Sequence, residues 1–562
     1  MTEDTGRLRS NFEPGSTRWA VRRAQWIAMG IDEADFHKPK IAVVNTSSKL
    51  SVCFQHLDGI ADRVSNAIRA AGGLPFEIRT AASSDFVTSA GRQGRYLMPT
   101  RDLMAFDVEV QVEGAELDGM VLLSSCDKTT PAHLMAAGRL DLPSLVLACG
   151  YQLGGKCRGR AVDIETLYNA VGSCKAGEID LDHLTEMSRA AIEGPGVCAG
   201  LATANSMHVM AEALGMTLPG NAPIRAGSIR LDEMADAAGA EILRMVEADL
   251  RPRDILTGAA MRNAVAVAVA LGTSVNTVRH LAAVAHVTEL DIDIVAEVER
   301  AAARLPLIAR IRPNGPTRIE DFDAAGGCRA AMAILRPALD LDVMTVTGQS
   351  LGTLLDAAPV PEGPHLHRLD APAAPDPGLA ILRGSLAPDG AVVKVSAVPE
   401  EIRQFSGPAR VFESEQAAID RLAPDHPDAL RPGDVAVLRM MGPKGGPGTV
   451  FAASFMAALQ GTRLRGQVAV VTDGELSGLN SGITIGQVMP EAAEGGPLAA
   501  VRDNDQITID LTRRRLDLDV PETVLTARLN EPTDLPPAPK GWLAVYRKTV
   551  GPLSKGAVVK GD

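Results

Sequence analysis

The chain has 562 residues, 46% of them apolar, and carries 56 Lys and Arg against 69 Asp and Glu, a net charge of −13. That length sets an expectation of roughly two to four domains, and the apolar share excludes a disordered chain. The acidic balance argues against a nucleic-acid binder, which presents a basic face, but not against an anionic substrate, because a bound metal ion overrides the global charge locally.

Residues 1–11 are polar and lack the apolar core of a signal peptide. Residues 40–44 (KIAVV) read as a buried strand, 59–71 as a helix, 75–80 as a second strand, 119–123 as a third and 143–148 as a fourth. A helical stretch at 132–139 separates the last two. Strand and helix alternating at this spacing predict a parallel α/β sheet. Residues 232–310 read as mostly helical. The apolar run 264–271 is far short of the roughly 18 residues a membrane span needs, so no membrane partner is expected. Residues 356–378, rich in Pro and Ala, read as a linker. Strand-like runs at 391–395, 434–439, 467–471 and 506–509 follow, punctuated by Gly and Pro, and predict a β-rich second domain. The expected division is 1–370 and 371–562, and the expected compartment is the cytosol. There, seven cysteines read as thiols or metal ligands rather than a disulfide framework.

The polar clusters stand just after the apolar runs. Cys53 and His56 follow the first strand, Asp85 the second, Cys126-Asp127-Lys128 the third, and Thr472-Asp473-Gly474 the run 468–471. In open α/β sheets ligands collect beyond the carboxyl ends of strands. Taken alone, Cys126 reads first as a small core thiol, Asp127 as a helix cap and Lys128 as a solvated lysine, and the strand-to-helix setting of 124–131, with few bulky side chains, turns the reading toward ligands. Cys198 lies in GPGVCAG (194–200), where glycines allow close approach of the backbone to a bulky group. Neither spacing is a CxxC metal signature. Cys149, Cys157, Cys174 and Cys328 lack such company and read as structural.

The combination resembles the dihydroxy-acid and sugar-acid dehydratase family of iron–sulfur lyases. The stretches that carry it are Asn45-Thr46 with Cys53 and His56; SCDKTTP (125–131); Cys198 with TANSM (203–207) and EALGM (212–216); GSLAPDGA (384–391); GPKGGPG (442–448); TDGELSG (472–478); and PEAAEGGP (490–497). The resemblance implies an N-terminal parallel α/β domain, a C-terminal β-barrel-like domain of the swivelling type, and a homodimer or homotetramer. It implies that Cys53, Cys126 and Cys198 hold an iron–sulfur cluster, [2Fe–2S] favoured over [4Fe–4S]. Three thiolates leave a Lewis-acidic position open. It further implies Mg2+ at Asp85, Asp127 and a carbamylated Lys128, and Ser477 as the catalytic base. Magnesium prefers hard oxygen donors, so an unmodified lysine beside it would repel it. Lys444, in a glycine run that is no nucleotide phosphate loop, and Arg92 are candidates to face the substrate. His56 reads equally as a hydrogen-bond donor near the cluster or as a structural histidine, and Asp473 as a turn residue.

Two departures stand out. Anchored on Gly94, Arg92 and Gln93 replace the histidine and glutamate of the amino-acid-biosynthesis branch, and Phe451 stands where the family has a magnesium-ligating glutamate. An Arg suits a longer, more hydroxylated acid, so the expected reaction is dehydration of an aldonic or other sugar acid to its 2-keto-3-deoxy acid. A branched-chain dihydroxy acid is the alternative substrate, and an inactive sugar-acid-binding paralogue the alternative of another class. An electron carrier would need a fourth cluster ligand, and a nicotinamide enzyme a GxGxxG after the first strand, which is missing.

Overall fold

The computed structural model describes residues 8–82, 84, 91–175, 177–361, 363–449, 452–476, 482–537 and 539–560, without the side chains of 91–93. Strand β1 (Lys40–Asn45) is buried along its whole length, as a parallel strand covered on both faces must be. Its Ile41, Val43 and Val44 each contribute roughly 1.5–3 kcal/mol by burial. They offset the burial of Lys40, whose ammonium donates to Asn11 Oδ1 and Phe36 O at 2.6 Å each. β2 (Leu74–Arg79), β3 (Gly119–Ser124) and β4 (Ser144–Ala148) join it in the order β2-β1-β3-β4, all parallel. The four strands expected from the sequence are therefore present, each within a residue or two of its expected bounds. The chain leaves β1 toward β2 on one side and returns to β3 on the other. The loops after β1 and β3 thus part at a switch point, where such sheets open a crevice.

Helices cover the sheet. Leu57–Ala70 buries Leu57, Ile60, Ala61, Val64 and Ile68, one face at helical spacing, and packs against Ile229–Ala248. Leu97–Ala115 packs against Thr129–Leu140. A small hairpin, β5 (Gly155–Cys157) and β6 (Arg160–Val162), follows. The expected helical region contains Gly258–Leu271, Asn276–Val287 and Ile294–Ala302. Among the described residues no helix is long and apolar enough to cross a membrane.

The C-terminal part is a closed eight-stranded barrel. Its strands are β7 (Ala380–Leu382), β8 (Gly390–Val393), β9 (Gln404–Phe412), β10 (Val435–Leu438), β11 (Ala469–Thr472), β12 (Thr484–Met489), β13 (Gln506–Asp510) and β14 (Arg515–Leu518). They run β14-β13-β9-β10-β11-β12-β8-β7, with β9 to β12 mutually parallel. A bridge between Arg383 and Arg515 joins the two ends and removes the open edges.

The two parts share one hydrophobic core, which runs from Ile41 through Leu518 to Tyr546. Gly172 and Gly461 meet where the helices Ile164–Lys175 and Ala453–Gln460 touch. A Cβ on Gly461 would stand 2.0 Å from the Gly172 Cα. The segment expected to be a linker is no free tether. Its His367 N–H donates to Ile308 O, Ala374 pairs with Leu307, and Gly378 N–H donates to Val269 O. Pro and Ala there serve an extended path laid on the N-terminal part.

Candidate functional site

Three cysteine-bearing loops meet beyond the carboxyl ends of β1, β3 and β4. After β1, Cys53 is buried, and its carbonyl accepts from Ser125 Oγ at 2.6 Å. After β3, Cys126 is buried with φ at +65°, a left-handed conformation uncommon outside glycine. Both sulfurs face one hydroxyl: Ser84 Oγ lies 3.9 Å from Cys53 Sγ and 3.7 Å from Cys126 Sγ. The Cys198 loop is stitched to the same rim. Gly196 N–H donates to Val52 O, Val197 N–H to Gly150 O and Gln152 N–H to Val197 O. Gly196 is obligatory there, at φ +115° with space for a Cβ only 2.7 Å from the Tyr151 carbonyl carbon. Asn205, on the helix Thr203–Ala213, donates to Cys198 O at 2.7 Å.

None of the seven cysteines is in a disulfide. Burial pushes the thiols of Cys149 and Cys328 up, which leaves them inert. His56 Nε2 donates to Cys149 O across 2.7 Å, and burial holds its pKa below the ordinary value. Since a carbonyl only accepts, Nε2 carries the proton, and the neutral ring ties the Cys53 loop to the end of β4.

A charged half faces this rim from the barrel. Glu475, just past β11, is fully buried. Lys128 Nζ lies 3.2 Å from Glu475 Oε2, and Arg279 Nη1 lies 3.2 Å from Glu475 Oε1. Lys128 precedes the helix Thr129–Leu140, and Arg279 sits on Asn276–Val287. Arg279 Nη1 also donates to Thr449 Oγ1 at 3.3 Å. His280 Nε2 is 3.3 Å from Lys128 Nζ, and its Nδ1 is 3.4 Å from Arg101 Nη1. Burial and then the charges of Lys128, Arg101 and Arg279 hold the His280 pKa well below the ordinary histidine value, so the ring is neutral. Arg101 is neutralised by Asp102 and donates to the carbonyls of Gly556 and Ala557. Asn276 Nδ2 donates to Leu476 O at 3.1 Å and fixes the backbone that leads to Ser477.

The structure thus brings together the loops of Cys53, Cys126 and Cys198, and it places buried Asp127 and Lys128 beside them in the chain. Asp85 and Ser477 lie outside the described residues, as does the Arg92 side chain, which belongs to the helical turn Gly91–Tyr96. Lys444 goes elsewhere: its ammonium pairs with Glu494, and its N–H donates to Glu491. Asp473 accepts from Met441 N–H and Ala492 N–H, the turn role expected of it. The sequence reading missed Ser84, Glu475, Arg279 and His280. One signal was available: Arg279 is the single Lys, Arg, Asp or Glu of the helical stretch NTVRHLAAVAHV.

The donor set fits the two expected inorganic groups unequally. Buried thiols without disulfides, two of them converging on one hydroxyl at a sheet crevice, suit an iron–sulfur cluster. Among the described residues no three His, Cys, Asp or Glu side chains, these cysteines included, stand close enough to share one metal ion. The described donors do not fit magnesium. Lys128 is ion-paired to Glu475, and Arg279 lies on the same carboxylate, so a dication would stand against two cations.

Comparison with known proteins gives the same picture over the full length. A family model described as dihydroxy-acid/6-phosphogluconate dehydratase N-terminal matches residues 38–354, and its C-terminal counterpart matches 365–557. A protein named dihydroxy-acid dehydratase from Acetivibrio thermocellus is 39% identical over 558 residues, covering 98% of this chain and 100% of its own. One of the same name from Methanothrix thermoacetophila is 40% identical, also over 98% of this chain and 100% of its own. Another from Methanococcoides burtonii is 38% identical over 98% of this chain and 99% of its own.

Proposed function

The chain belongs to the dihydroxy-acid/6-phosphogluconate dehydratase family and is a hydro-lyase, and from that premise we propose that it dehydrates a branched 2,3-dihydroxy acid to the 2-keto acid. Members of the family use iron–sulfur clusters and Mg2+. The observation that carries the reading is the convergence of Cys53 and Cys126 on Ser84 Oγ at the switch-point crevice, with the Cys198 loop bonded to the same rim. When bound by Cys53, Cys126 and Cys198, a cluster supplies a Lewis acid with an open position.

Elimination needs a proton removed from C2 and hydroxide lost from C3. The resulting enol tautomerises to the 2-keto acid, and the reaction is redox-neutral. Ser477 is the proposed proton acceptor. A lone serine hydroxyl does not ionise near neutrality, so its deprotonation needs cations near it. Lys128 and Arg279, which grip Glu475 two residues upstream, are the cations proposed to favour it. Neutral His280 adds no competing positive charge. Burial of these groups keeps water out and strengthens each charge interaction.

The sugar-acid expectation rested on Arg92, whose side chain is not described. The relatives covering the whole chain carry the name dihydroxy-acid dehydratase and support the branched acid instead. A division near residue 370, a homo-oligomer and a cytosolic setting remain part of the proposal. The test is turnover by anaerobically purified protein on 2,3-dihydroxyisovalerate, a pentonate and a hexonate, with 2-keto acid as readout. Reaction with the branched acid is expected, and activity confined to the aldonates overturns the substrate assignment. Ser477→Ala should lose turnover while keeping its iron. Near-normal turnover in that variant removes Ser477 as base.

A further inference from the structure

Arg279 is 1% exposed, yet among the described residues only its Nη1 has partners, Glu475 Oε1 and Thr449 Oγ1. Nε and Nη2 are buried and have no hydrogen-bond partner among the described residues. Even the Glu475 contact is an ion pair at 3.2 Å without hydrogen-bond alignment, since Oε1 is itself left without a donor. A guanidinium stays charged and presents five N–H donors in a planar fork that matches a carboxylate. Burying unmet donors of a charged group is costly, so an arrangement of this kind is suited to an anion that arrives later.

Lys128 supplies a second buried cation on the same carboxylate, with Nζ 3.2 Å from Glu475 Oε2. Two cations therefore share one glutamate. Carbamylation would take two protons from the Lys128 ammonium as CO2 adds to its nitrogen, and leave an anion. The attraction to Glu475 would become repulsion between two buried anions. Two further positions at which the family resemblance places carboxylates hold Gln93 and Phe451, although Asp85 and Asp127 are kept.

We propose that Lys128, Glu475 and Arg279 form a metal-free anion seat in which Lys128 stays paired with Glu475 and Arg279 donates from Nε and Nη2 to the substrate carboxylate. The proposal rests on the dehydratase reading for the identity of its ligand, a 2,3-dihydroxy acid. It assigns to protein cations the charge that magnesium would otherwise provide.

Three readouts test it on the cluster-loaded protein, prepared anaerobically with Mg2+ present and then desalted. Metal analysis should find iron without stoichiometric magnesium. Equilibration with 13C-bicarbonate should give no carbamate carbon resonance. Calorimetry with the unreactive product, 2-ketoisovalerate, should give Arg279→Leu an affinity roughly tenfold to hundredfold below wild type. Arg279→Lys should recover part of that loss, and both variants should keep wild-type iron content. One magnesium per chain, or a carbamate resonance that vanishes in Lys128→Arg, overturns the seat, and so does unchanged product affinity in Arg279→Leu. If Arg279→Leu fails to fold, the two wild-type measurements still decide. A protein that dehydrates no dihydroxy acid sinks the proposed function alone, because magnesium, carbamate and carboxylate binding are read without turnover.

Discussion

The two halves of the site are built in opposite ways. The sulfur half is made within the N-terminal part by loops at the ends of β1, β3 and β4, and short hydrogen bonds among neighbouring backbones hold it. The charged half exists only once the barrel docks, because Glu475 comes from β11 whereas Lys128 and Arg279 come from the α/β part. Cysteine side chains can thus be positioned by one domain, while a buried carboxylate must find its cations across an interface. The site's chemistry is therefore tied to domain assembly, and the two halves should fail in different ways.

The largest effect separates them by activity. Cys126→Ala removes a proposed cluster ligand of the sulfur half and should lower turnover by about three orders of magnitude or more, the loss expected when several kcal/mol of Lewis-acid assistance disappears. Iron analysis should show depletion, while thermal unfolding stays close to wild type. Glu475→Gln should do the reverse. It removes the buried carboxylate that Lys128 and Arg279 share, which costs about 3–5 kcal/mol, read by denaturant unfolding, with iron content retained. Equal stability of that variant and wild type would mean that the charged half does not bind the domains together. Next comes Gly196→Ala, which forces a Cβ against Tyr151 at φ +115°. It should cost about 1–3 kcal/mol and lower iron retention through the Cys198 loop without disturbing the Lys128–Glu475 pair.

The smallest effect sharpens the contrast by pH. Glu491, on the barrel side, is pushed up from 4.5 to about 8, first by burial and then by Asp473. A carboxyl raised in the folded state contributes stability that is fully present below pH 4.5 and is lost as pH climbs through about 8. Wild-type stability should therefore fall between pH 5 and 8, and Glu491→Gln should flatten that fall. An unchanged slope would mean that Glu491 is not buried as described.

Much of the sulfur half was legible in the sequence, and little of the charged half was. The strand runs 40–44 and 119–123 are near-continuous apolar segments, which fixes where each strand stops and so where Cys53 and Cys126 stand. Parallel pairing then brings those ends to one rim. Glu475 lies inside a stretch quoted for its resemblance, yet nothing local says that its partners are Lys128, 347 residues away, and Arg279. The barrel was only half visible for a similar reason. β7, β9, β12 and β14 are short or carry polar and glycine residues, and their pairing is long-range. Residues 356–378 misled because Pro and Ala mark an extended chain whether or not it is packed, and this one is bonded to Val269, Leu307 and Ile308.

The most direct test of the three-thiolate centre is iron and acid-labile sulfide analysis of anaerobically purified protein, with a spectrum recorded before and after 2,3-dihydroxyisovalerate is added. The account predicts iron and sulfide in matching amounts and a spectrum that the dihydroxy acid perturbs, as substrate reaches the open position. Protein that turns over with neither iron nor sulfide, or a cluster spectrum indifferent to saturating substrate, would contradict it.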